Sequence, residues 1–420
     1  KAQLFTVTSL NVLGILLKMG IGLITSKVIA VFVGPTGMGL VGNMRNFLSF
    51  IETWGTLGFQ QGLVKYTADY KDDKTKISAL FSTVFMLLGG VLLIICTALF
   101  VFSSTINSFL FGINQSYESV IKILALVLPF YVFSLVFVSF LNGLGDYNRV
   151  VKVNIYGNLI GLFVSVGLIV YYQTLGALVA IVVTPALLFG LTLYYLQKHF
   201  SVFNYFSTQW FDVGLLKKLS SYSLMFFVSA VIGPMVFLQI RIHIMETLGA
   251  NQAGYWEAMN RISMYYLMFV TTLGSVYFFP RLAITKSFAE TQSIFFSYYK
   301  WILSLFVLGL FGIYFLRTYI VSILFTSDFI PVNDLFFWQM FGDVFKAASL
   351  ILGYQFLAKK MTLHFLITEI ISLLVMYFSS MYFMQLFKTE GVVMAHALTY
   401  VVYFTILVVV FRKVLFGKRI

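Results

Sequence analysis

Ten ionisable side chains fall in stretches of this chain too apolar to solvate them: Lys18, Lys27, Arg45, Arg241, Arg261 and Lys346, and against them Glu52, Glu257, Asp343 and Glu369. A charge at the centre of a membrane-spanning helix costs about 2.5–3.5 kcal/mol even on the lenient insertion scale, so each needs a partner, a watery cavity or a task. Spacing supplies some partners. Residues three or four apart share a helix face, which matches Glu257 with Arg261 and Asp343 with Lys346, while Arg45 and Glu52 share a face two turns apart. Six bases against four acids leave two cations over. Surplus positive charge in a dry place implies an anion that comes and goes. Guanidinium groups, planar and permanently charged, suit phosphate oxygens held without water. Arg45 and Arg261 lead this set of binding candidates, followed by Lys18, Arg241, Lys346 and Lys27. Lys18 and Lys27, nine apart, point to opposite sides of a straight helix; Lys18 is the one read as facing a cavity, with Lys27 free to snorkel. The acids are read as counter-ions or as sites for a coupling H+ or Na+, Glu369 foremost because no base lies within a turn of it.

Helices in a bilayer must position these groups. Of 420 residues, 60% are apolar and 10% charged, and the mean hydropathy is +0.94, far from the averages of soluble domains. Runs such as ALFSTVFMLLGGVLLIICTALFVF are continuously apolar over the roughly 20 residues that a crossing needs. They lack the alternation of barrel strands. Spans are predicted near 4–33, 37–64, 78–102, 118–142, 150–172, 175–197, 219–244, 251–279, 295–317, 333–357, 361–386 and 391–411. That makes an all-α integral membrane protein with twelve transmembrane helices. The first segment is too long for a signal peptide and is expected to remain as a span.

Lysine and arginine orient the spans, since cytoplasmic loops retain positive charge. With the N-terminus inside, Lys65, Lys71, Lys74, Lys76, Arg149, Lys152, Lys198, Lys217, Lys218, Arg281, Lys286, Lys300, Lys359, Lys360 and the tail from Arg412 all fall on the cytoplasmic side. The opposite loops hold chiefly Arg317 and Lys388. The net charge of +13 is therefore an orientation signal and no sign of nucleic acid. Both termini are expected to be cytoplasmic.

A repeat runs through the chain at an offset of 215. Thr174 maps to Thr389, Gly176 to Gly391, Ala180 to Ala395, Thr184 to Thr399 and Lys198 to Lys413; Gly34 and Gly39 map to Gly249 and Gly254. Arg45 falls one residue short of Arg261. Two six-helix bundles follow, an N-terminal lobe over 1–200 and a C-terminal lobe over 215–420, joined by a cytoplasmic linker at 201–214. Six spans is an even number, so the lobes are parallel repeats, and in such folds the substrate site lies between the halves near mid-membrane.

Catalysis finds no support in the residues. Cys96 is the sole cysteine, and His199, His243, His364 and His396 are scattered, so no metal site is expected. The glycine runs lack the Lys-Ser/Thr ending of a P-loop, and no cofactor is implied. Lys122 is read as interfacial. Transport is the default.

KVIAVFVGPTGMGLVGNMRNF, the following GLVKYTADY, and FGDVFKAASLILGYQFLAKKMTLHFLITEI resemble the O-antigen and lipid III flippases, the Wzx-type group of the multidrug/oligosaccharidyl-lipid/polysaccharide exporter superfamily. The resemblance implies a MATE-like V shape with two lobes related by a pseudo-twofold axis. It implies alternating access that carries an undecaprenyl-pyrophosphate-linked glycan from the cytoplasmic to the periplasmic leaflet of the bacterial inner membrane, with membrane lipids around it; a two-lobed monomer already supplies a complete pathway and is the expected functional unit. Lys18, Lys27, Arg45, Arg241, Asp343, Lys346 and Glu369 match positions charged in the lipid III flippase pattern. Arg261, Glu257 and Glu52 depart from it, which points to another repeat unit such as an O-antigen, and so to lipopolysaccharide biosynthesis. The runner-up is a cation-coupled multidrug exporter of the same fold, which would carry acids in excess; here bases are in excess.

Overall fold

The computed structural model describes residues 2–113, 115–198, 211–285 and 287–417, and the regular structure among them is helical. Helix α1 (Ala2–Phe32) stops at Val33, and α2 (Gly34–Thr56) restarts at once because Gly34 takes the left-handed backbone (φ +71) and Pro35 pre-sets the first turn. The predicted span 37–64 is not one helix. Leu57 and Gly58 both have positive φ (51 and 65), ending α2 with a left-handed cap before α3 (Gln60–Tyr70) begins. Helix α4 (Lys74–Val101) is capped by Asp73, whose Oδ1 accepts from the backbone N–H of Thr75 and of Lys76, each at 3.1 Å. A short helix α5 (Ser103–Phe111), absent from the sequence reading, precedes α6 (Glu118–Gly143).

Helices α7 (Tyr147–Gln197) and α14 (Thr362–Val410) have 51 and 49 residues. Drawn straight, each would be about 75 Å long, more than twice the hydrocarbon of a bilayer. Each reverses at one residue with a non-helical backbone: Gln173 (φ 50, ψ −123) and Lys388 (φ 54, ψ −135), 215 positions apart. The turns close because Gly176 and Gly391 lack side chains. A Cβ at Gly176 would collide with the Leu168 carbonyl, and one at Gly391 with that of Phe383, the same pair displaced by the same offset. The arms then pack antiparallel, Thr184 against Gly161 in α7 and Thr399 against Met376 in α14.

The remaining elements are α8 (Val213–Thr247), α9 (Ala250–Leu273) running through a π-turn into α10 (Phe279–Ile284), α11 (Phe288–Ser297) running through another into α12 (Ser304–Leu324), a 3-10 segment Ser327–Leu335 leading into α13 (Phe336–Ala358), and α15 (Arg412–Phe416). Counting joined pieces together, seven of the described helices are long and apolar enough to cross a membrane, two of them hairpins. With α1, the α2–α3 pair and α8, the elements follow the order of the twelve spans read from the sequence.

The chain forms two compact units, one of Lys1–Val33 and Leu40–Pro234, the other of Gly34–Gly39 and Met235–Ile420. Most of the segment read as the linker, 201–214, lies outside the described residues, as does His199. In the first unit α6 packs on α7, α3 and α4, sealed by a stack of Phe81, Phe85, Phe133 and Phe137. In the second, α13 packs on α14, α9 and α10. There the start of α2 also crosses α9: Gly39 approaches Ala253 so closely that a Cβ would stand 3.2 Å from that of Ala253, and Thr36 Oγ1 donates to Asn251 Oδ1 at 2.6 Å.

Candidate functional site

The second unit gathers most of the sequence-predicted charges, and it buries them. Arg241 on α8 and Arg261 on α9 are each 2% exposed and share one carboxylate, Glu257. Arg241 Nη2 donates to Glu257 Oε2 at 2.8 Å, and Arg261 Nε donates to Glu257 Oε1 at 3.0 Å. The spacing of four puts Glu257 and Arg261 on one face of α9, as read from the sequence; Arg241 comes from a different helix and could not be assigned by spacing. The Arg241 guanidinium lies 5.0 Å from the ring of the buried Trp256, a cation–π contact. Its Nε and Nη1 are buried and have no hydrogen-bond partner among the described residues. Two guanidiniums thus converge on one buried carboxylate.

A second cluster surrounds Asp343 on α13, which is fully buried. Its Oδ2 accepts from Ser263 Oγ and Tyr266 Oη, both at 2.6 Å and both on α9, and from Gln339 Nε2 at 3.3 Å. Its Oδ1 lies 2.9 Å from His396 Nε2 on the second arm of α14. The pairing of Asp343 with Lys346 inferred from their spacing is electrostatic, without a direct contact. Hydroxyl, amide and imidazole donors occupy the carboxylate, and no Asp343–Lys346 ion pair forms. The half-buried Lys346 ammonium lies 4.9 Å from the ring of Tyr400 and interacts electrostatically with Asp343 and with Glu369 on the first arm of α14. Glu369 was read as lacking a base within a turn of its own helix; it has one across the interface with α13. Packing between helices, invisible to sequence spacing, supplies these additional partners.

The first unit is arranged differently. Arg45 on α2 is half-buried and Lys18 on α1 is exposed, while Lys27, nine residues on, is half-buried beside the fully buried Ser26. Glu52 accepts from Tyr131 Oη on α6 and from the side chain of Gln60, so its partners are neutral donors. Lys122 pairs with Glu118 at 2.8 Å.

Arg45 and Arg261 are not equivalent. The hairpin turns fix the repeat at 215, which sets Arg45 level with Asn260 and Arg261 level with Asn46. One residue is 100° of helix, and this separates a half-buried guanidinium from a fully buried one. Sequence reasoning also missed His396, Gln339, Tyr266 and Trp256. The legible signal was polarity inside apolar spans: Gln339 stands one turn before Asp343, and His396 sits in a span, 391–411, that holds no Asp, Glu, Lys or Arg.

The helices and the buried polar clusters define the class, an all-α, multi-pass membrane protein with a transporter fold. Among solved structures the chain is similar to an inward-facing multidrug resistance MATE transporter of the MOP superfamily, with a TM-score of 0.77 and 14% identity over 96% of each chain. It is also similar to the lipid II flippase MurJ in an inward closed conformation, with a TM-score of 0.73 and 14% identity over 97% of this chain and 87% of that one. The chain belongs to the polysaccharide biosynthesis protein family, whose profile matches residues 6–286. Among curated relatives it is 26% identical over 416 residues to the lipid III flippases of Escherichia coli (strain K12) and Shigella flexneri, covering 97% of this chain and 96% of theirs.

Proposed function

We propose that this protein is a flippase for a lipid-linked oligosaccharide. It turns an undecaprenyl-pyrophosphate-linked glycan, of the O-antigen repeat-unit kind, from the cytoplasmic to the periplasmic leaflet of the bacterial inner membrane. Both termini are cytoplasmic and the monomer is the working unit. Relatedness to the lipid III flippases along nearly the whole chain supports the substrate class. The observation that carries the reading is the Arg241–Glu257–Arg261 cluster, which gathers two guanidiniums in a buried place and leaves Arg241 with two donors unspent among the described residues. A pyrophosphate supplies the missing acceptors, and bidentate guanidinium contacts give it orientation as well as attraction. Arg45, Lys18, Lys346 and Lys27 are the further cations on its route, with Glu52 and Glu257 as counter-ions. Asp343 and Glu369 are the candidates for a coupling H+ or Na+. Translocation requires that the two access states bind the ligand differently, since a ligand held equally in both shifts neither.

Purified protein in vesicles with a defined polyprenyl-pyrophosphate-linked glycan tests the reading. Loss of a charged phosphate contact worth about 1.5–3 kcal/mol lowers flipping by Arg45→Ala and Arg241→Ala roughly tenfold or more. Undiminished flipping by both variants would remove the anion model.

A further inference from the structure

The described part of the second unit contains a cavity of about 550 Å³ that the transport reading does not use. Its walls come from four places: the end of α10 (Thr285), the start of α11 (Ser287, Phe288, Thr291), the last turn of α13 (Gln355, Lys359) with Met361, and the junction of α14 with α15 (Phe411, Lys413). These residues sit where four candidate spans begin or end. Lys359 follows Ala358, Met361 precedes Thr362, Phe411 follows Val410, and Ser287 precedes Phe288. A cavity at that level lies at the depth of lipid headgroups, and its lysines belong to the basic loops read as cytoplasmic.

The chemistry of the walls is specific. Lys359 and Lys413 are exposed and supply two positive charges; Lys359 Nζ is anchored on the Thr285 carbonyl at 2.6 Å. The ten-residue α11 begins here, capped by the neutral hydroxyl of Ser287 and carrying an acid of its own, Glu290, in the first turn. In the first unit, α4 begins with the protein's own anion in the capping role, the Asp73 carboxylate. Gln355 lines the cavity, is 6% exposed, and has a buried side-chain carbonyl with no hydrogen-bond partner among the described residues. An unpaired buried acceptor costs roughly 1–3 kcal/mol, and a ligand that donates a hydrogen bond recovers it. Phe288, Met361 and Phe411 make the rest of the wall apolar.

We propose that this cavity binds the headgroup of an anionic glycerophospholipid from the surrounding leaflet. The phosphate lies with Lys359 and Lys413, a headgroup hydroxyl donates to Gln355, and the glycerol and first methylenes rest on Phe288, Met361 and Phe411. Free phosphate shares the anionic chemistry but has no use for the apolar wall or for the lipid depth.

Native mass spectrometry of the purified full chain in neutral detergent, titrated with dioleoylphosphatidylglycerol, dioleoylphosphatidylcholine or dioleoylphosphatidic acid, tests the site. One phosphatidylglycerol is retained in preference to phosphatidylcholine. Lys413→Gln and Lys359→Gln each weaken retention about fivefold, the usual effect of one basic residue near an anionic lipid, and Lys413→Arg restores it. Gln355→Leu abolishes the preference for phosphatidylglycerol over phosphatidic acid, which lacks the headgroup glycerol. Unchanged retention in both lysine variants overturns the proposal. So does a thermal stabilisation by inorganic phosphate equal to that by phosphatidylglycerol, which would assign the cavity to a soluble anion.

Discussion

The two units share a scaffold and differ in where they keep charge. At the offset of 215 the chain repeats a helix started at glycine, and each unit has a hairpin that reverses at one residue and the glycine that lets it close. The buried clusters obey no such symmetry. Arg241, Glu257, Arg261, Asp343 and His396 correspond in the first unit to Ser26, Gly42, Asn46, Leu128 and Ile181. Conversely, Glu52 corresponds to Leu267, and Tyr131, which binds it, to Lys346. A duplicated backbone has therefore kept its turns and diverged in its polar interior. Turns are set by sterics that any lipid-embedded helix must satisfy, whereas a buried charge persists only with a partner or a function. Local geometry holds the two halves alike, and chemistry sets them apart.

The shared scaffold makes the largest effect symmetric: Gly176→Val and Gly391→Val each push a side chain into a carbonyl and destabilise by more than about 4 kcal/mol, read as loss of monodisperse protein on size exclusion. A tolerated valine at either turn would break the equivalence of the hairpins. The next effect is asymmetric. Glu257→Gln removes the charge that two buried guanidiniums share and costs about 3–5 kcal/mol, whereas Glu52→Gln keeps an acceptor for Tyr131 and costs about 1 kcal/mol or less. Thermal unfolding midpoints in detergent separate the two, and equal shifts would show that the interior charges are not specialised. Asp343→Asn, which leaves one oxygen to serve four donors, follows at about 1–3 kcal/mol in the same measurement; its counterpart Leu128 has no such network to lose.

The smallest effect lies at the helix starts. A hydrogen bond from Lys76, with backbone N–H groups beside it, holds the Asp73 carboxyl below the usual carboxylate range. A depressed native value means that the cap's contribution is complete above the unfolded carboxylate pKa and disappears only as the pH falls through the lowered one. Acid titration of hydrogen exchange at the first turn of α4 reads this loss, and Asp73→Ser abolishes its pH dependence. The Ser287 cap of α11 does not itself titrate over that range.

The sequence specified the scaffold closely because its signals are local or periodic. Continuous apolar runs give the spans, Gly34 and Gly39 recur at Gly249 and Gly254, and the matched stretch from Thr174 to Lys198 already contained the glycine on which the hairpins close. The break at Leu57–Gly58 and the added helix Ser103–Phe111 were not legible, since left-handed caps and short helices at span ends make little mark on hydropathy. At the candidate site, Glu257 with Arg261 could be read from helical spacing. Arg241 joining them, and His396 joining Asp343, could not, because those contacts are made between helices more than a dozen residues apart in the chain. The apparent match of Arg45 with Arg261 was one residue out, and on a helix a single position changes which side a group faces.

Turning at Gln173 and Lys388 without a connecting loop leaves these two places no slack. One residue added on either side would rotate the following arm by 100°, carrying Thr184 away from Gly161, or Thr399 away from Met376. Length variation among homologous chains is accordingly expected to accumulate in the segments between hairpins and to be absent from the two reversals themselves.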